Sequence, residues 1–279
     1  MAAVISRLLL YPVKGCRGVA LRSARLASTG LEFDGIGDRE WVIVDDHGEF
    51  LSQRELPRMA LVETALAGSC LRLSAPGMLK LEVPFASEGD VVRIQVWDDE
   101  IDAVTQGDVA DRWITDFLGR RARLMRFDPL ARRISRRKYT GATEAPYKFA
   151  DAFALLVTSE ASLADLNARL QAKGLAPAGI ERFRPNIVLD GVEAFDEDYA
   201  RTVRVGDAEI ELVRPCVRCT VPSVDPALGE QGDEPGDTLA SYRNNAEAGG
   251  ITFGVNGIVT QGAGATLGVG DPVEITFRF

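Results

Sequence analysis

Residues 91–104 read Val-Val-Arg-Ile-Gln-Val-Trp-Asp-Asp-Glu-Ile-Asp-Ala-Val. Two short strand-like runs, 91–97 and 101–104, are separated by acidic residues. Their β-branched and aromatic side chains suit a pleated, half-buried surface. The same signature recurs at 8–13, 19–26, 41–44, 60–66, 71–74 and 79–83, broken by Gly, Pro and Asp. Close spacing of so many short strands predicts an antiparallel sandwich or barrel. One helix follows. Val109, Trp113 and Phe117 repeat every four residues behind Asp108 as the expected cap, with Gly119 just past the end. Residues 121–127 return to strand character.

Residues 128–152 show no clear period, and a stretch that long without pattern is a linker, a functional loop or a mobile segment. The domain boundary is placed there, giving an N-terminal unit at 1–127 and a C-terminal unit at 128–279, with 128–152 a basic linker or loop. The second unit opens with an apolar run at 154–157. Thr158-Ser159 then leads into a helix over 160–173, where Leu163, Leu166 and Leu170 form one stripe ended by Gly174. Hydroxyl residues at such a junction cap the free N–H groups of a first turn. Strands are expected again at 187–189, 203–205, 208–213, 218–221 and 273–277, with Gly206-Asp207 as a two-residue hairpin turn. The fold class is mainly β with a few helices, α+β.

Composition bounds the function. The chain has 279 residues, 46% hydrophobic and 26% charged, an ordinary globular balance that excludes disorder and coiled coil as whole-chain descriptions. Its net charge of −9 gives no overall field for nucleic acid or anionic lipid. No stretch approaches the roughly 20 apolar residues of a membrane span, and the start lacks a signal-peptide core. Four cysteines in a chain this long make no disulfide framework. Together these features predict a cytoplasmic protein with reduced thiols that binds neither nucleic acid nor membrane.

The single histidine, His47, lies in a turn, Asp45-Asp46-His47-Gly48, so a His-rich zinc site is excluded. Cys216-Val-Arg-Cys219 is the sharpest local motif. It suits half a zinc site, a redox dithiol, one reactive thiolate, or a pair of buried small hydrophobes. Cys16 and Cys70 are too far apart to complete four-cysteine zinc, and Pro215 ahead of the motif weakens the dithiol reading. Arg214 and Arg218 flank the pair and favour thiolate. Lys14-Gly15 stands at a strand-to-loop junction where backbone N–H groups can approach an anion. Arg39 begins a strand, and Arg184-Pro185-Asn186 reads as a turn into another. The helix start at Thr158-Ser159 could receive phosphate. Window 120–138 holds nine basic residues against Asp128, either a solvated loop or a docking patch for an acidic partner.

Seven motifs occur in order: LLLYPVKGCRGV (8–19), GIGDREWVIVDDHGEFLSQRELPRMALV (35–62), LLVTSEASLADLNARL (155–170), FRPNIVLDG (183–191), RPCVRCTVPSVDP (214–226), TLASYR (238–243) and VGDPVEI (269–275). In these the chain resembles the MOSC proteins, in the branch with an N-terminal β-barrel domain that includes the mitochondrial amidoxime reducing component and its bacterial relatives. The resemblance implies two β-barrel-type domains and a molybdenum–pyranopterin cofactor. It implies Cys219 as molybdenum ligand and catalytic centre, a soft thiolate for a thiophilic metal. Lys14, Gly15 and Arg39 would hold the phosphate end, Arg184 and Asn186 would lie near the pterin, and Thr158 and Ser159 would line the same site. Gly15 and Val217 replace serines common in relatives. No pyridoxal phosphate is expected, because the large domain that uses it is missing, and four cysteines cannot supply an iron–sulfur cluster beside Cys219.

The activity implied is reduction of N-hydroxylated small molecules (amidoximes, hydroxylamines, N-hydroxylated bases). Electrons would come from a separate ferredoxin-like, flavodoxin-like or cytochrome-type donor docking at the basic window. A cofactor carrier or sulfur-transfer module is the rival reading. A plain β-rich interaction domain is a third, and it predicts that Lys14, Arg39 and Arg184 lie far apart.

Overall fold

The computed structural model describes residues 2–86 and 88–278, and strands dominate it. Among these residues the largest sheet runs in the order Val19–Leu21, Val4–Leu10, Ile187–Asp190, Leu155–Ser159, Gly250–Gln261, Ala208–Val217, Ala200–Val205, Glu274–Phe277. Its first two strands come from the start of the chain, so the N-terminus completes a sheet whose remaining strands come from the second half. Leu155–Ser159 and Ile187–Asp190 pair in parallel, joined by a crossover through the helix Glu160–Ala172. The other pairings in the sheet are antiparallel, as the short-strand pattern predicts.

A second sheet, ordered Val91–Val96, Asp99–Thr105, Arg123–Phe127, Trp41–Val44, contains the hairpin read first in the sequence. A meander of Glu63–Ala67, Cys70–Ser74 and Leu81–Pro84 packs near it. Trp41, Ile43, Leu71, Leu73, Trp113, Phe117 and Leu124 fill the core between these sheets and the helix Asp108–Leu118. Burying each such side chain contributes about 1.5–3 kcal/mol. Trp41 is wholly enclosed, and its indole N–H finds Gln106 Oε1 at 3.0 Å, which a buried Trp requires. A separate core of Leu8, Leu10, Leu155, Val157, Ile187, Leu189, Leu212 and Val255 underlies the large sheet.

Local differences from the sequence reading have local causes. The 60–66 run is split into a 3-10 turn, Pro57–Leu61, and the strand Glu63–Ala67, because Pro57 starts the turn. The 19–26 run breaks at Arg22 into Val19–Leu21 and Ser23–Ala27, which join different sheets. The first helix is capped by Gly107, with no side-chain cap; Asp108 is instead in the first turn. Residues 218–221 form no strand: Pro222 turns the chain through Val221–Ser223. Gly250–Gln261, at the centre of the large sheet, has no counterpart in the sequence reading. No helix among the described residues is long and apolar enough to cross a membrane.

Segment 128–152 packs on both halves, with Arg133 on Asp99 of the first and Tyr139 on Arg214 of the second. Arg133, 5% exposed, holds the carbonyls of Ala150 (2.6 Å) and Lys148 (3.1 Å) and pairs with Asp99 at 2.8 Å. Phe149 N–H donates to the Arg39 carbonyl at 3.0 Å. A buried arginine satisfied by three oxygens folds this loop around itself.

Candidate active site

Leaving the strand Val4–Leu10, the chain turns through Tyr11–Cys16. Lys14 N–H donates to the Trp41 carbonyl at 2.8 Å, and Gly15 follows with φ +83°. An L side chain rarely adopts that angle, and a Cβ there would lie 2.7 Å from Met59 Cε. The turn aims Lys14 inward, where Nζ donates to the Phe149 carbonyl (2.8 Å) and to Asp151 Oδ1 (2.5 Å). Burial pushes the Lys14 pKa down, partly opposed by Asp151. Asp151 Oδ1 also accepts from the Trp97 indole at 2.9 Å. The hairpin of residues 91–105 thus delivers an aromatic ring to this corner.

Arg39 and Arg184 both have left-handed backbone, φ +48° and +58°. Non-glycine residues held there cost free energy and cluster at functional sites. Arg39 bonds Asp38, Asn186 Oδ1 (3.2 Å) and the Arg184 carbonyl (3.0 Å). Burial works against its charge, and Asp38 more than offsets that, so the net pKa shift is upward. The Arg184 guanidinium donates to the Cys16 carbonyl at 2.6 Å, but its Nη2 is buried with no partner among the described residues. Burial, reinforced by nearby Arg39, pushes the Arg184 pKa down to about 10. Both guanidiniums lie over the Tyr11 ring, at 4.5 and 4.3 Å. Two neighbouring cations, one with an idle donor, form a site that an anion would relieve.

Asn186 is 1% exposed. Its side chain accepts from Leu156 N–H (3.1 Å) and Arg39, and donates to the Leu9 carbonyl (3.2 Å). It ties two strands together and orients Arg39.

The long strand Ala208–Val217 carries Cys216 to its end, and Cys219 follows in the turn beyond. Arg218 donates to Cys216 Sγ at 2.9 Å and to the Phe183 carbonyl at 3.0 Å. Cys216 is half-buried, whereas Cys219 is exposed. The two thiols of the motif are therefore unequal.

A cavity of about 250 Å³ joins these parts. Its wall includes Lys14, Gly15, Arg39, Arg184, Asn186 and Cys219, six of the eight positions expected from the sequence. They come from separate stretches, which excludes the reading that scatters the cations. Thr158 and Ser159 do not line it, and that expectation is corrected. Ser159 Oγ caps its own helix through Ser162 N–H at 3.0 Å and donates to Glu197 at 3.0 Å, while Thr158 is wholly buried in the strand. The wall uses residues 150–153 instead, with Trp97, Gln53 and Asn256, none of which the sequence marked as a site residue. Asn256 lies on the unread central strand. Residues 150–153 carry only a short Ala-Asp-Ala-Phe string, with no motif chemistry to flag them.

The basic window is not one open patch. Arg120 pairs with Asp45, Arg126 with Glu40, Arg132 with Glu144, Arg133 with Asp99 and Arg136 with Asp98. Most of its formal charge is spent on neighbours distant in sequence.

Among the described residues no group of three or more His, Cys, Asp or Glu could hold a metal ion. A metal at Cys219 would have one protein thiolate and would draw its other ligands from a bound chelate. The fold and site together define a two-part β protein with a cavity walled by buried cations and edged by an exposed thiol. Residues 2–121 match the MOSC N-terminal beta barrel domain, and residues 144–274 match the MOSC domain. The chain belongs to the MOSC family. It is 33% identical over 287 residues to mitochondrial amidoxime reducing component 2 of Rattus norvegicus, covering 96% of this chain and 82% of that protein. To mitochondrial amidoxime-reducing component 1 of Homo sapiens it is 34% identical over 284 residues, covering 97% and 82%. Among solved structures, the YuaD protein of Bacillus subtilis aligns over 100% of this chain and 98% of its own, at 11% identity and a TM-score of 0.45.

Proposed function

We propose that the cavity holds a molybdenum–pyranopterin cofactor and that the protein is a cytoplasmic reductase of N-hydroxylated compounds. The observation that carries the reading is the partnerless Nη2 of Arg184, beside Arg39 and on one cavity wall with Lys14 and Cys219. The donor set fits the group: fixed cations for its phosphate and a soft thiolate for its metal. When bound, the cofactor would supply two-electron removal of oxygen from an N–O bond. Overall, two electrons and two protons convert N–OH to N–H and water.

The chain's own residues do the positioning. Arg184 and Lys14 bind the anionic end, and Asp38 keeps Arg39 charged and aimed. Asn186 holds Arg39 against the strands, and Asp151 ties Lys14 to Trp97. Phe153, Leu155, Leu156 and Phe183 give the wall apolar surface that excludes water. Cys219 presents the more exposed sulfur of the motif, and the one that Arg218 leaves free. Electrons come from a separate donor protein of ferredoxin-like, flavodoxin-like or cytochrome type.

The test is benzamidoxime reduction by holoprotein with an artificial electron donor. Turnover that is lost in Cys219→Ala supports the reductase. Tight cofactor binding with no turnover of amidoximes, hydroxylamines or N-hydroxylated bases overturns it in favour of a carrier.

A further inference from the structure

Arg214 is a cavity-wall cation that the cofactor reading leaves unused. It precedes the cysteine motif, and the sequence suggests that it favours thiolate, yet its hydrogen bonds go elsewhere. Nη1 donates to the Tyr139 hydroxyl at 2.8 Å and Nη2 to the Ala248 carbonyl at 3.0 Å. Its guanidinium lies 4.7 Å from the Tyr139 ring centroid, and Lys138 Nζ lies 4.7 Å from the same centroid. Burial slightly opposes ionisation of Tyr139, but its hydrogen bond to Lys138 is the largest influence and lowers its pKa. Tyr139 packs edge-on against Phe153, itself part of the cavity wall, at 5.8 Å. Neither Arg214 nor Lys138 makes an ion pair among the described residues. Arg120, Arg126, Arg132, Arg133 and Arg136, by contrast, all have carboxylate partners.

Two cations with no carboxylate partner among the described residues converge on one phenol at the edge of a cavity, in a protein of net charge −9, a placement that would favour an anion. No hydrogen bond links this cluster to Lys14, Arg39 or Arg184, which have their own partners at Phe149, Asp38 and Cys16. Arg214 therefore anchors a second cationic cluster at the cavity, apart from the one formed by Lys14, Arg39 and Arg184. One suffices for the anionic end of the cofactor, and the second borders the strand that leads to Cys219.

We propose that Arg214, with Lys138 and the Tyr139 hydroxyl, binds an acidic group on the substrate, so that the preferred substrates are small N-hydroxylated compounds bearing a carboxylate or phosphate. This rests on the reductase reading. Arg214 supplies planar donors from the wall, Lys138 adds charge from the solvent side, and Tyr139 holds both in register.

The experiment compares 4-carboxybenzamidoxime with benzamidoxime, using holoprotein and an artificial donor, in wild type, Arg214→Met and Lys138→Ala. Lys138 is exposed, so its replacement keeps the test valid if Arg214→Met fails to fold. A charged hydrogen bond is worth enough that the ratio of kcat/KM, acid over neutral, should fall about tenfold in Arg214→Met, and by less in Lys138→Ala. A 4-phosphonobenzamidoxime arm separates phosphate from carboxylate preference. Calorimetric binding of 4-carboxybenzamidine against benzamidine gives a readout independent of turnover, with the acid's advantage lost in Arg214→Met. Equal effects on acid and neutral compounds, or an unchanged ratio in both variants, overturn the subsite. Failure of wild type to reduce either substrate counts against the reductase reading, while the binding arm still decides the subsite.

Discussion

Replacing Asn186 with leucine separates a residue that touches a ligand from one that builds the site. The two side chains share one branched skeleton, with leucine the bulkier at its methyl ends, so no cavity is created. Three hydrogen bonds vanish: those with Leu156 N–H at 3.1 Å, the Leu9 carbonyl at 3.2 Å and Arg39 Nη1 at 3.2 Å. Arg39 keeps Asp38 and the Arg184 carbonyl, so its loss is partial. Leu156 N–H and the Leu9 carbonyl lie in a region where Asn186 is 1% exposed, beyond easy reach of water. Leaving a buried backbone group unsatisfied costs about 1–3 kcal/mol, and the carbonyl's second lone pair moderates its share. The expected loss is about 3 kcal/mol, a fall in Tm of roughly 6–12 °C for a chain of this size. Thermal and urea unfolding of cofactor-free protein measure it. A loss under about 1 kcal/mol, together with lowered cofactor content, would refute the tie and make Asn186 a direct ligand contact.

Gly15→Ala should cost about 1–2 kcal/mol, because a Cβ is forced onto φ +83° and Met59 must move aside; an unchanged urea midpoint would contradict that backbone angle. Glu197 is 1% exposed, and burial raises its pKa above the ordinary 4.5, against the opposing hydroxyls of Ser162 and Ser159. A raised carboxyl favours the folded state most at low pH. Its contribution is therefore present below the unfolded pKa near 4.5 and is lost as pH rises through the folded value. Glu197→Gln should accordingly be the more stable form at neutral pH and converge on wild type in acid, and melts across pH 4–8 check the sign. Cys216→Ser should keep bound metal while Cys219→Ala loses it, since Arg218 occupies the Cys216 sulfur; metal analysis showing the reverse would reassign the ligand.

Much of the architecture was legible because strand signals are local. The runs at 41–44 and 91–104 became strands in one sheet, and the leucine stripe at 163–170 became the buried face of a helix. Gly250–Gln261 escaped because Gly250, Gly254 and Gly257 interrupt its alternation. Those glycines serve close packing: a Cβ on Gly257 would lie 2.9 Å from Ile210 Cγ2. The cationic residues were legible through their turns and the family resemblance. Thr158 and Ser159 misled because a helix cap and an anion site use the same hydroxyls, and only geometry shows that Ser159 serves its own helix and Glu197. The charge of the basic window was equally deceptive, since its carboxylate partners lie up to 86 positions away in sequence.

The most direct measurement is the molybdenum and pterin content per chain after expression in a cofactor-competent host, for wild type and Arg184→Met. The account predicts about one of each per wild-type chain and a marked loss of pterin in the variant. Wild-type protein free of both, or a variant that retains pterin undiminished, would contradict it.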